Sequence, residues 1–169
     1  MTPPGAAVRL QVYLRMPRMM ARYFGEIDYA DAAVFYFPCG IPGFENEHEF
    51  LLLNRPNTDP LVFMQSRSDA NLCFTLIPIL VADPRYRLHL GPEERSALHL
   101  GPDEEPRIGE EIFCAAVVCS GNGGPTANLK APIVVNIAEN IGIQAIQTES
   151  AYGYRHPVLP REEELVSCS

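Results

Sequence analysis

The sequence predicts a mostly β fold: a single domain, an antiparallel β-barrel-like architecture with one or two short helices. Three observations lead there. Short apolar runs recur between clusters of turn-forming residues. The 16 prolines fall mostly between those runs, where they suit turns and strand edges and oppose long helices. No strand–helix–strand unit recurs, so a parallel α/β sheet is disfavoured against a sandwich or partly closed barrel. A chain of 169 residues with 47% hydrophobic side chains is long enough to bury a real core.

The elements follow in order. Tyr23 to Tyr29 alternates, with Tyr23, Gly25, Ile27 and Tyr29 on one side and Phe24, Glu26 and Asp28 on the other. A period of two predicts a half-buried strand. Asp31-Ala32 gives a turn. Val34 to Phe37 is a second strand stopped by Pro38, close enough to form a hairpin with the first. Phe50 to Leu53, Leu61 to Gln65 and Leu72 to Ile77 are further strands, separated by Asn, Pro, Ser and Asp clusters. Tyr86 to Leu90 alternates weakly. Glu93 to Leu100, after Gly91-Pro92, predicts a short helix with acids in its first turn. Ile112 to Cys119 is strand-like, although its alanines permit a helix. Ile133 to Ile137 and Ile143 to Gln147 are strands joined across Glu139 to Gly142.

Charge is uneven. Residues 1–22 hold four arginines and no acid; the rest holds nine basic and all 21 acidic side chains, a net of −12. Such a body repels phosphate backbones and attracts basic proteins. Direct nucleic-acid binding is therefore disfavoured, although solubility alone also explains an acidic surface. The five cysteines lack metal-ligand spacing, and three of them (Cys73, Cys114, Cys119) sit in apolar runs. An odd count without a secretory signal favours a reducing, cytoplasmic setting. No apolar run approaches the roughly 20 residues that span a membrane.

Chemical motifs are sparse. Gly121 to Gly124 lacks the lysine and hydroxyl of a phosphate loop, so it reads as a loop tip. Neighbours Glu47, His48 and Glu49 cannot all face one metal from an extended segment. Ser66 and Ser68 have no evident base. The expectation is no catalytic, metal or cofactor site. Two segments stand out instead. In Gly40-Ile41-Pro42-Gly43-Phe44-Glu45, glycines and a proline set a tight path and Phe44 either anchors the turn or meets a partner. In Thr126 to Asn136, a polar turn with a proline runs into a β-branched strand. There Asn128 either bonds its own backbone or contacts a partner, and Lys130 is the only lysine in the chain.

Together these two motifs resemble the flagellar assembly factor FliW family. Tyr23-Phe24-Gly25-Glu26-Ile27 resembles its first strand, Phe37 to Glu45 its signature loop, Gln65-Ser66 the end of its middle strand, and Tyr152 to Pro157 its closing segment. The resemblance covers about Arg22 to Val158. Cys39 inside the loop, the stretch Gly91 to Pro106 and the extra residues 1–21 depart from the pattern.

The resemblance implies a β-barrel-like domain over 22–160; the acid-free residues 1–21 read as a disordered extension before it, and the charged or small residues 161–169 as a frayed tail. The extension reads as a basic arm, a transit peptide or, as the resemblance favours, sequence upstream of a start at Met16, Met19 or Met20. The resemblance further implies a cytoplasmic, non-enzymatic protein, monomeric when free. Its partners would be CsrA, a small basic RNA-binding translational repressor, and flagellin. Capturing the repressor would couple flagellin level to flagellin translation. A dedicated flagellin chaperone is the alternative, and a small-barrel enzyme a more remote one. The expected partner contacts are Phe44, Glu45, Gln65, Asp83, Tyr86, Asn128, Lys130 and Pro132.

Overall fold

A computed structural model describes residues 16–103, 105–148 and 150–158. In chain order its strands are β1 (Arg18–Ala21), β2 (Gly25–Asp28), β3 (Val34–Tyr36), β4 (Glu49–Leu53), β5 (Val62–Ser66) and β6 (Cys73–Pro78). They continue as β7 (Ile112–Cys119), β8 (Thr126–Ala127), β9 (Ile133–Asn136), β10 (Ile141–Gln144) and β11 (His156–Pro157). Two short α-helices, α1 (Ile79–Ala82) and α2 (Pro92–Ala97), lie between β6 and β7.

The sheet order β7-β6-β5-β4-β3-β10-β9 closes on itself because β9 also pairs with β7. The result is a closed barrel of seven strands, mostly antiparallel, as the sequence predicts. β8 and β11 extend it beyond the far end of β7. One pairing breaks the antiparallel rule. β10 meets β3 in parallel, through a single residue pair, Ile141 with Tyr36.

Alternation along the strands builds two cores on the two faces of the sheet. Phe37, Phe50, Met64, Leu76, Ala115, Ile133 and Val135 pack together inside the barrel. Phe37 and Phe50 meet edge to face at 5.2 Å. Ile77, Ile112, Cys114, Ala116 and Val134 point the other way and are covered by Ile79 of α1, Tyr86, Leu90 and Leu98. β7 and β9 therefore lie under cover on both faces, which is why their sequences read as continuous apolar runs. β10 carries Gly142 where any Cβ would sit 2.5 Å from the Phe37 ring, so the residue must be glycine for Phe37 to fill the barrel.

Several expectations need correction. The hairpin expected between Tyr23–Tyr29 and Val34–Phe37 does not form. β2 pairs instead with β1, and β3 pairs with β4. The turn at Arg22 to Phe24 shortens the expected first strand to Gly25–Asp28. The domain consequently starts before residue 22: Arg18–Ala21 form β1, and Ala21 is buried. The expected extension 1–21 thus overlaps the fold, while residues 1–15 and the expected tail 161–169 lie outside the described residues. β10 begins at Ile141, two residues before the expected strand, and ends at Gln144. β8, β11 and α1 had no sequence signal strong enough to predict them.

Tyr86 to Leu90 forms no strand. Its ends, Tyr86 and Leu90, are buried against the outer core. Its middle is held by the Gln147 side chain, which accepts from His89 N–H at 2.8 Å and donates to His89 C=O at 2.9 Å. A side-chain amide thus takes the place of a neighbouring strand for the His89 backbone groups.

Candidate partner-binding site

The loop Gly40 to Glu45 follows Phe37, which is buried in the barrel. Gly40 has φ of +64° and its missing Cβ leaves room for the carbonyls of Phe44 and Glu45; an added Cβ would lie 2.7 Å from each. Gly43 has φ of +87° in open space, so it needs glycine for conformation alone. Phe44 and Ile41 close the loop by N–H to C=O bonds at 2.6 and 3.4 Å. The Phe44 ring touches Phe74 edge to face at 5.5 Å and still exposes 42% of its surface. It is half anchor and half display. The Glu45 carboxylate accepts the Gly43 N–H at 2.8 Å, which holds its pKa below the usual glutamate range.

The second motif has the opposite character. Thr126–Ala127 and Ile133–Asn136 pair with the same edge of β7, and residues 128–132 bulge between them. Leu129 at the centre of the bulge is fully buried. Asn128 Oδ1 accepts the Ala131 N–H at 3.0 Å, the self-capping turn expected of asparagine. Lys130 Nζ donates to the carbonyls of Thr148 and Ser150 at 3.3 and 2.9 Å. The lone lysine is a cross-brace between two segments. Tyr86 Oη donates to Leu129 C=O at 2.8 Å, and its ring stacks on Tyr152 at 4.3 Å. Burial drives the Tyr86 pKa strongly upward, so the phenol stays a donor.

Of the eight expected contacts, Phe44 and Glu45 are exposed, Asp83, Asn128 and Lys130 are half-buried, and Gln65, Tyr86 and Pro132 are buried. The last three are enclosed by the chain itself. Gln65 lies near the end of β5. Its amide in fact donates to the carbonyls of Ser66, Asp69 and Leu72, each at 3.0 Å, and fixes the turn after β5. Asp83 Oδ1 accepts the Arg85 N–H at 2.9 Å and shapes the turn after α1.

The neighbours Glu47, His48 and Glu49 do diverge. Glu47 accepts from Ser66 at 2.6 Å and from Ser68, His48 Nδ1 lies 2.8 Å from Phe37 C=O, and Glu49 pairs with Arg67 at 2.9 Å.

Sequence reasoning missed the surface beside the first motif. A groove runs between that loop, α2 and β10. One part, of about 370 Å³, is lined by Cys39, Pro42, Glu45, Ala97 and Ile143 among others. A second, of about 830 Å³, continues past Ile146, Thr148 and His89. Glu93, Glu94 and Gln144 line both parts. Among the described residues, no lysine or arginine lines either. Glu94 also accepts the Gly91 N–H at 2.8 Å and so caps α2. The sequence signal was available in the acidic first turn of the predicted helix. What brings it opposite Glu45 is the closure of the barrel.

Comparison with known proteins agrees with this architecture. Residues 18–158 match the family described as FliW protein. The flagellar assembly factor FliW of Syntrophomonas wolfei is 31% identical over 141 residues, 83% of this chain and 88% of that protein. The FliW of Desulfitobacterium hafniense strain Y51 is 36% identical over 133 residues, 79% of this chain and 85% of that protein. A crystal structure of the flagellar assembly factor FliW superposes with a TM-score of 0.76 at 28% identity, covering 86% of this chain and 99% of that one. The shared barrel, the signature loop and the match over nearly all described residues have one reading: this chain belongs to the FliW family.

Proposed function

We propose that this chain is a non-enzymatic regulatory protein of flagellar assembly that acts in the cytoplasm. It binds a CsrA-type RNA-binding repressor, keeps it from flagellin mRNA, and also binds flagellin, so that flagellin level sets flagellin translation. Family membership across residues 18–158 carries the reading. The acidic body supports it: a net of −12 beyond residue 22 attracts a basic repressor and raises the cost of RNA approaching the complex. The surface around Phe44 and Glu45 is where exposed apolar area meets carboxylates, as a docking surface for a basic protein requires.

Calorimetric titration against CsrA and against flagellin tests the proposal. Saturable binding of both at micromolar concentration or below is the expected result. Binding of flagellin without CsrA would leave the flagellin-chaperone reading. Binding of neither would end the proposal.

A further inference from the structure

Among the described residues the barrel closes most thinly at the seam between β3 and β10, and this seam borders the groove described above. β10 pairs with β9 on one side through four consecutive residue pairs, Ile141 to Gln144. On its other side it pairs with β3 through Ile141 alone. β3 ends at Tyr36, and the chain leaves the sheet toward the signature loop.

The direction of the unpaired groups follows from strand alternation. Tyr36 N–H donates to Asn140 C=O at 2.8 Å, so Asn140 faces β3. Ala145 and Gln147 donate the opposite way, to the carbonyls of Pro132 and Lys130, at 2.9 and 2.8 Å. Successive residues alternate, so Gly142 and Gln144 turn their backbone groups toward the β3 side, and Ile146 follows just past the strand end, its N–H on that side while its C=O accepts the Thr148 N–H at 3.0 Å. Beyond the bridge at Ile141, no described strand pairs with Gln144 or Ile146 on that side. Both residues line the groove.

An unpaired strand edge is a template for another strand. Here it lies between the signature loop and α2, with Glu45 on one rim and Glu93 and Glu94 on the other. Pro42, Ala97, Ile143 and Ile146 supply apolar lining, and Ile146 is 51% exposed. We propose that this groove receives an extended segment of a protein partner, which adds to the open edge of β10 and sets basic side chains against Glu45, Glu93 and Glu94. Main-chain bonds to Gln144 and to the Ile146 N–H supply the attachment, and the carboxylates select its charge. A second copy of this chain is a poor occupant, because a net charge of −8 opposes self-association at an acidic groove. The inference deepens the proposed function and rests on it for the class of partner; the mode of contact comes from the open edge.

The test uses the whole chain and a short synthetic peptide alternating valine with lysine. Amide hydrogen exchange read by NMR should show saturable protection of Gln144 and Ile146, by about tenfold or more. The same peptide with N-methylated backbone, and one alternating valine with glutamate, should not protect them. Glu93→Gln, at an exposed side chain on α2, should weaken the peptide several-fold and leave the melting temperature unchanged. Equal protection by the N-methylated peptide, protection confined to other residues, or no saturable binding would each overturn the inference. A titration with CsrA on the same sample separates the two levels. A protein that binds CsrA without protecting Gln144 overturns the groove and leaves the proposed function standing. A protein that binds the peptide as described but neither CsrA nor flagellin supports the groove and overturns the proposed function.

Discussion

The loop at Gly40 to Glu45 and the bulge at Asn128 to Pro132 look alike in sequence. Each combines turn residues, one proline and a large apolar side chain, and each borders a strand. In the structure they part. The bulge turns its large side chain, Leu129, wholly inward and spends Asn128, Lys130 and the Tyr86 hydroxyl on internal bonds. The loop leaves Phe44 partly in solvent and its carboxylate at the rim of a groove. The difference is one of location. The bulge lies between two strands that share the edge of β7, so the chain on both sides of it is already buried. The loop leaves the barrel where β3 ends, and buried Ile41, the Phe44–Phe74 contact and the Gly40 N–H bond to Phe37 C=O at 3.0 Å draw it back. A motif can therefore mark a family through packing at one end of the molecule and through display at the other.

Leu129→Ala should break the bulge most. A fully buried leucine leaves a cavity, and a loss of about 2–5 kcal/mol is expected, read by chemical denaturation. A loss below about 1 kcal/mol would mean that the bulge collapses freely and has no packing role.

The two loop glycines sharpen the comparison from within. Gly40→Ala adds a Cβ 2.7 Å from two carbonyls at positive φ, and should cost more than Gly43→Ala, where positive φ is the only penalty. About 2–4 kcal/mol against about 1–2 is expected. Equal melting temperatures for the two variants would contradict the close approach at Gly40.

Phe44→Ala should cost only about 1–2 kcal/mol, because 42% of the side chain is already exposed and its main partner is one ring. Partner affinity should fall by more than stability does. A variant with normal affinity and a large loss of stability would make the loop a second structural bulge and erase the contrast.

The smallest effect is electrostatic. The Gly43 N–H bond holds the folded-state pKa of Glu45 below the value of an unfolded glutamate, about 4.3. A lowered carboxylate stabilises the loop above the unfolded pKa, and that contribution is lost as pH falls through the folded pKa. The Gly43 amide shift, followed by NMR, should titrate with a midpoint below that of free glutamate. Glu45→Gln should flatten the curve, and a midpoint at or above the free value would refute the bond.

Much of the barrel was legible because burial on one or both faces imposes a pattern on each strand. Phe50 to Leu53, Leu61 to Gln65, Leu72 to Ile77, Ile112 to Cys119 and Ile133 to Ile137 all fall within a residue or two of observed strands. The short helix after Gly91-Pro92 was legible from its proline and acids, although it ends at Ala97. The first hairpin was misread for a definite reason. Tyr23 to Tyr29 alternates, but so does any chain with scattered aromatics, and pairing depends on which neighbour is available. Arg18–Ala21, with charged Arg18 and no run of β-branched residues, gave no strand signal of its own; its pairing with β2 creates it. The eight expected contacts differ in exposure for a related cause. Gln65, Tyr86 and Pro132 are polar or turn-forming types that sit at surfaces in most proteins, and here each is enclosed.

By itself, the sequence determined the fold class, the positions of most barrel strands, the acidic character of the body and the two motifs that mark the family. Those are properties of composition and of short windows, where a period of two or a turn signal acts over a few residues. The tertiary structure alone decided the closure of β9 onto β7, the single parallel bridge from β10 to β3, and the side chains that reach solvent. It also brought Glu45 across from Glu93 and Glu94, about 50 residues further along the chain, to form one groove. Those outcomes depend on contacts between distant segments, and no local pattern encodes which edge of a strand is left without a neighbour.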